Sequence, residues 1–119
     1  MIKKNDKIFL AGHNGLVGSA IQKVLKKNKY QNIITQDRKK LDLFDQHEVE
    51  KYLKKNKPKI VIIAAAKVGG IKANNLLRAD FIRENIQIQT NLIHGCHVNN
   101  INNILFLGSS CVYPKFSRL

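Results

Sequence analysis

Residues 7–18 read Lys7-Ile8-Phe9-Leu10-Ala11-Gly12-His13-Asn14-Gly15-Leu16-Val17-Gly18, and this stretch decides the fold. A short apolar run breaks into three glycines spaced three apart, and Ser19 to Lys27 then has helical periodicity. The pattern predicts a strand, a phosphate loop and a helix. Gly12 permits a sharp exit from the strand, and Gly15 lets backbone approach a pyrophosphate with no Cβ in the way. Gly18 lets the helix sit close to the strand, while the unpaired N–H groups of the helix start face the anion. Gly12, His13, Asn14, Gly15, Leu16, Val17 and Gly18 are therefore the first candidate cofactor contacts. A plain strand-to-helix turn is the bland alternative.

Outward from this stretch, the helix is expected over Leu16 to Asn28, followed by a second strand, Gln31 to Thr35. That strand ends in Gln36-Asp37-Arg38-Lys39, at the position where a dinucleotide fold chooses its cofactor. An acidic side chain there accepts from an unmodified ribose, and an arginine pairs with a 2′-phosphate. Asp37 argues for NAD, and Arg38 with Lys39 and Lys40 for NADP. Asp45 is placed to cap a helix from about Gln46 to Lys55. Ile60 to Ala64 is a continuous β-branched run, the pattern of a strand buried on both faces in a parallel sheet. It leads into the small-residue loop Ala65-Ala66-Lys67-Val68-Gly69-Gly70-Ile71, which leaves room for a ligand.

Ala79 to Asn99 reads as one long helix with two adjacent apolar stripes, Phe81/Ile88/Leu92 and Ile82/Ile86/Ile93, and so a broad buried face. Cys96 extends the first stripe as a packed, inert thiol. His94 and His97 are spaced like a metal pair, but no carboxylate or thiol completes a set, so no metal is expected. Ile104 to Gly108 is the fourth strand and ends in Ser109-Ser110-Cys111-Val112-Tyr113-Pro114-Lys115.

Four strands alternating with helices predict an α/β fold, a Rossmann-type parallel sheet with helices on both faces, incomplete, in the order 3-2-1-4. Ligands of such sheets bind beyond the carboxyl ends of the strands. Every unusual segment above directly follows a predicted strand, so all should border one crevice.

With 119 residues the chain is one small domain. Its 21 Lys and Arg against 8 Asp and Glu give a net charge of +13. The lysines fall on helix ends and loops and are not interleaved with aromatics, which favours a solvated surface over a nucleic-acid site. No leader-like or membrane-spanning run occurs, and two cysteines make no disulfide scaffold, so the expected location is cytoplasmic.

The Gly-x-x-Gly-x-x-Gly spacing of Gly12, Gly15 and Gly18 is similar to that of the short-chain dehydrogenase/reductases. More specifically, Gly12 to Ala20, Ala64 to Ile71 with Asn74-Asn75, and Phe106 to Lys115 resemble the GDP-L-fucose synthases. These extended members of that superfamily are GDP-4-keto-6-deoxymannose 3,5-epimerase/4-reductases, and the resemblance covers essentially the whole chain. It implies a GDP-sugar substrate and NADP, with NAD left open by Asp37 and by Asn14, which stands where an arginine commonly helps hold the 2′-phosphate. It implies Arg38, Asp42, Leu43, Ala65, Ala66, Lys67, Leu107, Gly108 and Ser109 as further cofactor contacts. Ser109 would hydrogen-bond the substrate's C4 oxygen, and Cys111 would be the epimerisation base, for which it must be partly thiolate.

The superfamily's Tyr-x-x-x-Lys pair does not occur in these residues. The chain is thus expected to be the N-terminal part of a cofactor domain, inactive alone, with the remaining strands and substrate domain beyond Leu119 and a homodimer in the full-length form. Another nucleotide-sugar epimerase or dehydratase, or a basic non-catalytic nucleotide- or nucleic-acid-binding module, are the competing readings.

Overall fold

The apolar runs Ile8–Ala11 (β1) and Ile60–Ile63 (β3) are buried at all eight positions. Strands so apolar on both faces need neighbours on both edges and helices above and below. They pair with each other in parallel, Ile8 opposite Ile60 through Ala11 opposite Ile63. Ile33–Ile34 (β2) flanks β1, and Ile104–Phe106 (β4) flanks β3, both in parallel. The computed structural model describes residues 2–109.

The sheet order is β2-β1-β3-β4, a correction to the expected 3-2-1-4. That order would have placed β2 inside the sheet and Ile60–Ile63 at its edge. β2 has only two residues, both half-buried, while all four residues of β3 are buried. Centring the longer apolar run hides more apolar area, each buried Ile or Val side chain being worth about 1.5–3 kcal/mol. The second strand is accordingly shorter than the expected Gln31 to Thr35, and β4 stops at Phe106 short of the expected Gly108.

Alternation along the strands sorts the helices. Ile8, Leu10, Ile60 and Ile62 face Ile21 and Leu25 of the helix Leu16–Lys27 (α1). Phe9, Ala11, Val61 and Ile63 face the other layer, made by Gln46–Asn56 (α2) and Arg78–Val98 (α4). Asp45 caps α2 as expected, its Oδ1 accepting from the Glu48 N–H at 2.9 Å. A short helix, Ile71–Leu76 (α3), precedes α4 and was not anticipated.

α4 buries Ile88, Asn91, Leu92, Gly95 and Cys96. At Gly95 the two helices come so close that a Cβ would lie 2.9 Å from Leu53 Cδ1. The broad buried face expected for this helix is narrower in fact, since Ile82, Ile86 and Ile93 remain 62%, 50% and 43% exposed. α2 and the sheet cover only one side of the helix. Cys96 is fully buried, and desolvation raises its thiol pKa to about 11, in keeping with an inert packed thiol.

Candidate functional site

β1 and β3 run side by side, so the loops at their carboxyl ends meet. Gly12 takes φ +87°, and a Cβ there would lie 2.5 Å from the Ala65 nitrogen and 2.6 Å from the Ala64 oxygen. Only glycine combines that backbone with so close an approach. Gly18 is also required by contact, but not with the strand as expected. Its Cβ would stand 2.0 Å from the Gly12 oxygen, so the first turn of α1 folds back beneath the loop itself. Gly15 is the N-cap of α1 and gives no side-chain cap, leaving the N–H groups of that first turn for a ligand. Leu16 and Val17 point outward, Leu16 being 90% exposed, and their side chains do not line the cleft described below.

At the end of β2 the two rival side chains part. Asp37 Oδ1 accepts from Asn14 Nδ2 at 2.9 Å and lies 3.5 Å from His13 Nε2. The acidic group is thereby tied to the first loop. Arg38 lines the cleft, with its guanidinium 5.1 Å from the centre of the Phe44 ring.

The segment before α2 is built as a rigid wall. Asp42 Oδ1 accepts from the Phe44 N–H at 3.0 Å, and the Asp42 N–H donates to Glu48 Oε2 at 3.1 Å. Asn91, 2% exposed, reaches across from α4 and donates to the carbonyls of Leu43 and Phe44 at 2.9 and 3.0 Å. A buried carboxamide spanning two carbonyls fixes that segment against the core.

Beyond β3, Lys67 is gripped by two neighbouring residues of α4. Its N–H donates to Asn85 Oδ1 at 2.7 Å, and its carbonyl accepts from Asn85 Nδ2 at 3.0 Å. Its Nζ pairs with Glu84 Oε1 at 2.6 Å. The Lys67 hydrogen bond holds the Glu84 carboxyl below its ordinary range, helped by the charges of Lys67, Arg83 and Arg38, while desolvation opposes the shift.

Together these loops enclose a cleft of about 430 Å³ at the carboxyl ends of β1 and β3. Of the residues expected from the sequence, it brings together Gly12, His13, Asn14, Gly15, Arg38, Asp42, Leu43, Ala65, Ala66 and Lys67. Gly18 supports it from below. Leu107, Gly108 and Ser109 follow β4 and are not in its wall; the Leu107 N–H donates to the Ile63 carbonyl at 3.2 Å. Cys111 lies outside the described residues. Glu84, Ile88, Gln36, Leu41 and Phe44 also line the cleft and were not anticipated. Asn91 carried a signal, as a polar residue within an apolar helical stripe; Glu84 and Asn85 had none.

Among the described residues, no three His, Cys, Asp or Glu side chains stand close enough to hold a metal ion. No described helix is long and apolar enough to cross a membrane. The lysines from Lys23 through Lys59, which make up much of the +13 charge, are exposed and do not line this cleft.

Known proteins share this sequence and geometry. The profile of the family described as "NAD dependent epimerase/dehydratase family" matches residues 8–119. GDP-L-fucose synthase 1 of Arabidopsis thaliana is 52% identical over 117 residues, covering 98% of this chain and 36% of the relative. The GDP-L-fucose synthase of Sinorhizobium fredii is 51% identical over 111 residues, covering 93% of this chain and 35% of the relative. The chain thus spans about a third of the length of the curated relatives it matches. The structure of the GDP-mannoheptose C4 reductase of Campylobacter jejuni with NADP bound superposes with a TM-score of 0.92 at 37% identity, covering 99% of this chain and 37% of that one.

Proposed function

Because the chain belongs to the NAD dependent epimerase/dehydratase family, we propose that it forms the dinucleotide-binding part of an NADP-dependent GDP-4-keto-6-deoxymannose epimerase/reductase, a GDP-L-fucose synthase. The observation that carries the cofactor reading is the division of labour at β2. Arg38 lines the cleft while Asp37 is tied to Asn14, which leaves a cation for a 2′-phosphate and takes up the carboxylate that would suit an unmodified ribose. The uncapped first turn of α1 and the Cβ-free approach at Gly12 fit a pyrophosphate. The wall at Asp42 and Leu43, held by Asn91, fits an adenine. The substrate reading rests on the curated relatives, which carry the GDP-L-fucose synthase name.

When bound, NADPH supplies the hydride that reduces the C4 ketone. In this reading Ser109 donates a hydrogen bond to the C4 oxygen, where negative charge develops. Cys111 is the base that takes the protons acidified by that ketone at C3 and C5. Leu107 and Gly108 present backbone beside the cofactor, and Lys67 closes its wall. The protein acts in the cytoplasm, binds no nucleic acid, and pairs as a homodimer through the outer face of α4, where Ile82, Ile86 and Ile93 are exposed.

The test is turnover by the protein that carries this chain, given GDP-4-keto-6-deoxymannose and NADPH. GDP-L-fucose should form with loss of NADPH absorbance, and Cys111→Ser should abolish epimerisation. Full activity in Cys111→Ser would point instead to another nucleotide-sugar epimerase or dehydratase. Steep salt-dependent DNA affinity with no NADPH binding would favour a nucleic-acid module.

A further inference from the structure

The cofactor loop after β3 owes its shape to α4. Lys67 is seventeen residues from Glu84 and eighteen from Asn85 in sequence, yet both residues hold it, one by its side chain and the other by its peptide. Asn85 satisfies the N–H and the C=O of one peptide-bearing residue, as a neighbouring strand would, at a place where no strand lies alongside among the described residues. Glu84 pairs with the Lys67 ammonium inside the wall of a cleft proposed to take a polyanion.

We infer that Glu84 and Asn85 act together as positioning residues that hold Lys67 and so set the affinity of the cleft for its dinucleotide, an inference that rests on the cofactor reading above. Asn85 fixes the path of Ala65 to Lys67. Glu84 neutralises a cation that would otherwise add to the attraction of the site for phosphate. The two contributions have opposite signs, which separates them from a merely structural role.

The experiment measures NADPH dissociation constants for the intact protein carrying this chain, well below its melting temperature and across a salt series. Asn85→Ala should weaken binding about tenfold, since two hydrogen bonds to the loop are lost, and amide exchange at Lys67 should accelerate. Glu84→Gln keeps the shape and an acceptor oxygen for Lys67 but removes one negative charge from the wall. It should tighten binding about threefold and steepen the salt dependence, as expected for unscreened charge in a cleft. A general loss of stability would lower the melting temperature without these opposed shifts in affinity.

If the wild-type protein binds NADPH and both variants match it within about twofold, the inference is overturned and the cofactor reading stands. Weaker binding in Glu84→Gln also overturns it, because the pair would then be supporting the site and not restraining it. A wild-type protein that fails to bind NADPH overturns the cofactor reading and this inference together.

Discussion

Asn14 donates to Asp37 across 2.9 Å, joining the loop after β1 to the end of β2 and turning the only acidic side chain of Gln36 to Lys40 toward the phosphate loop. His13 stands 3.5 Å from the same carboxylate oxygen. Arg38 is left lining the cleft, where the proposed cofactor would place its 2′-phosphate. Arg38→Gln should therefore weaken NADPH binding by about 10- to 100-fold, the loss of a charge-assisted contact, and change NADH binding little. Asn14→Ala should release Asp37 and narrow the preference for NADPH over NADH. Titration of both nucleotides against both variants checks this; equal losses for NADPH and NADH in Arg38→Gln would refute it.

Gly18 is the tightest packing point of the loop. A Cβ there would meet the Gly12 oxygen at 2.0 Å, with the Gly12 carbon at 2.7 Å, and both are backbone atoms that no rotamer can move aside. Gly18→Ala should cost about 1–3 kcal/mol in urea unfolding and lower dinucleotide affinity with it. At Gly15 the nearest atom to an added Cβ is 3.4 Å away, so that variant should fold normally and lose binding alone.

Asn91 is the buried polar pin of the cleft wall before α2. Asn91→Leu would leave the Leu43 and Phe44 carbonyls without this donor, at a cost of about 1–3 kcal/mol for each group left unsatisfied. Chemical denaturation should register that loss. Amide exchange should rise over residues 42–45 before it rises in β1 or β3.

Cys96 sets an alkaline limit. Its folded pKa of about 11 stands above the ordinary thiol value of 9.0, so the folded state keeps the proton that the unfolded chain gives up first. The contribution of this group to stability is complete below pH 9.0 and is lost as pH rises from there toward about 11. Burial also raises the Tyr52 pKa above 10.0, against a hydrogen bond from Gln36 that lowers it, which adds to the same trend. Native protein should resist alkylation of Cys96 at pH 8, and Cys96→Ala should flatten the decline measured by thermal melts across that window. Rapid alkylation of Cys96 in the native state would count against its burial.

The sequence by itself determined the parts whose causes are local. The apolar runs at Ile8 and Ile60 fixed the two central strands. Asp45 fixed the start of α2, and the glycines at positions 12, 15 and 18 fixed the tight turn from β1 into α1. The periodicity of residues 79–99 gave a long helix, correct within a residue at each end. Strand order was not local. Which run lies in the centre depends on comparing the burial of β2 and β3, and two half-buried isoleucines lose to four buried residues only once the whole sheet is assembled. The choice between Asp37 and Arg38 was equally undecided, because a hydrogen bond from Asn14, 23 residues away, turns one of them aside. The grip of Glu84 and Asn85 on Lys67, and of Asn91 on the Leu43 and Phe44 carbonyls, belongs to the same class. Side chains on α4 reach loops that only the packing of that helix against the sheet brings within hydrogen-bond distance, and no spacing along the chain records that approach.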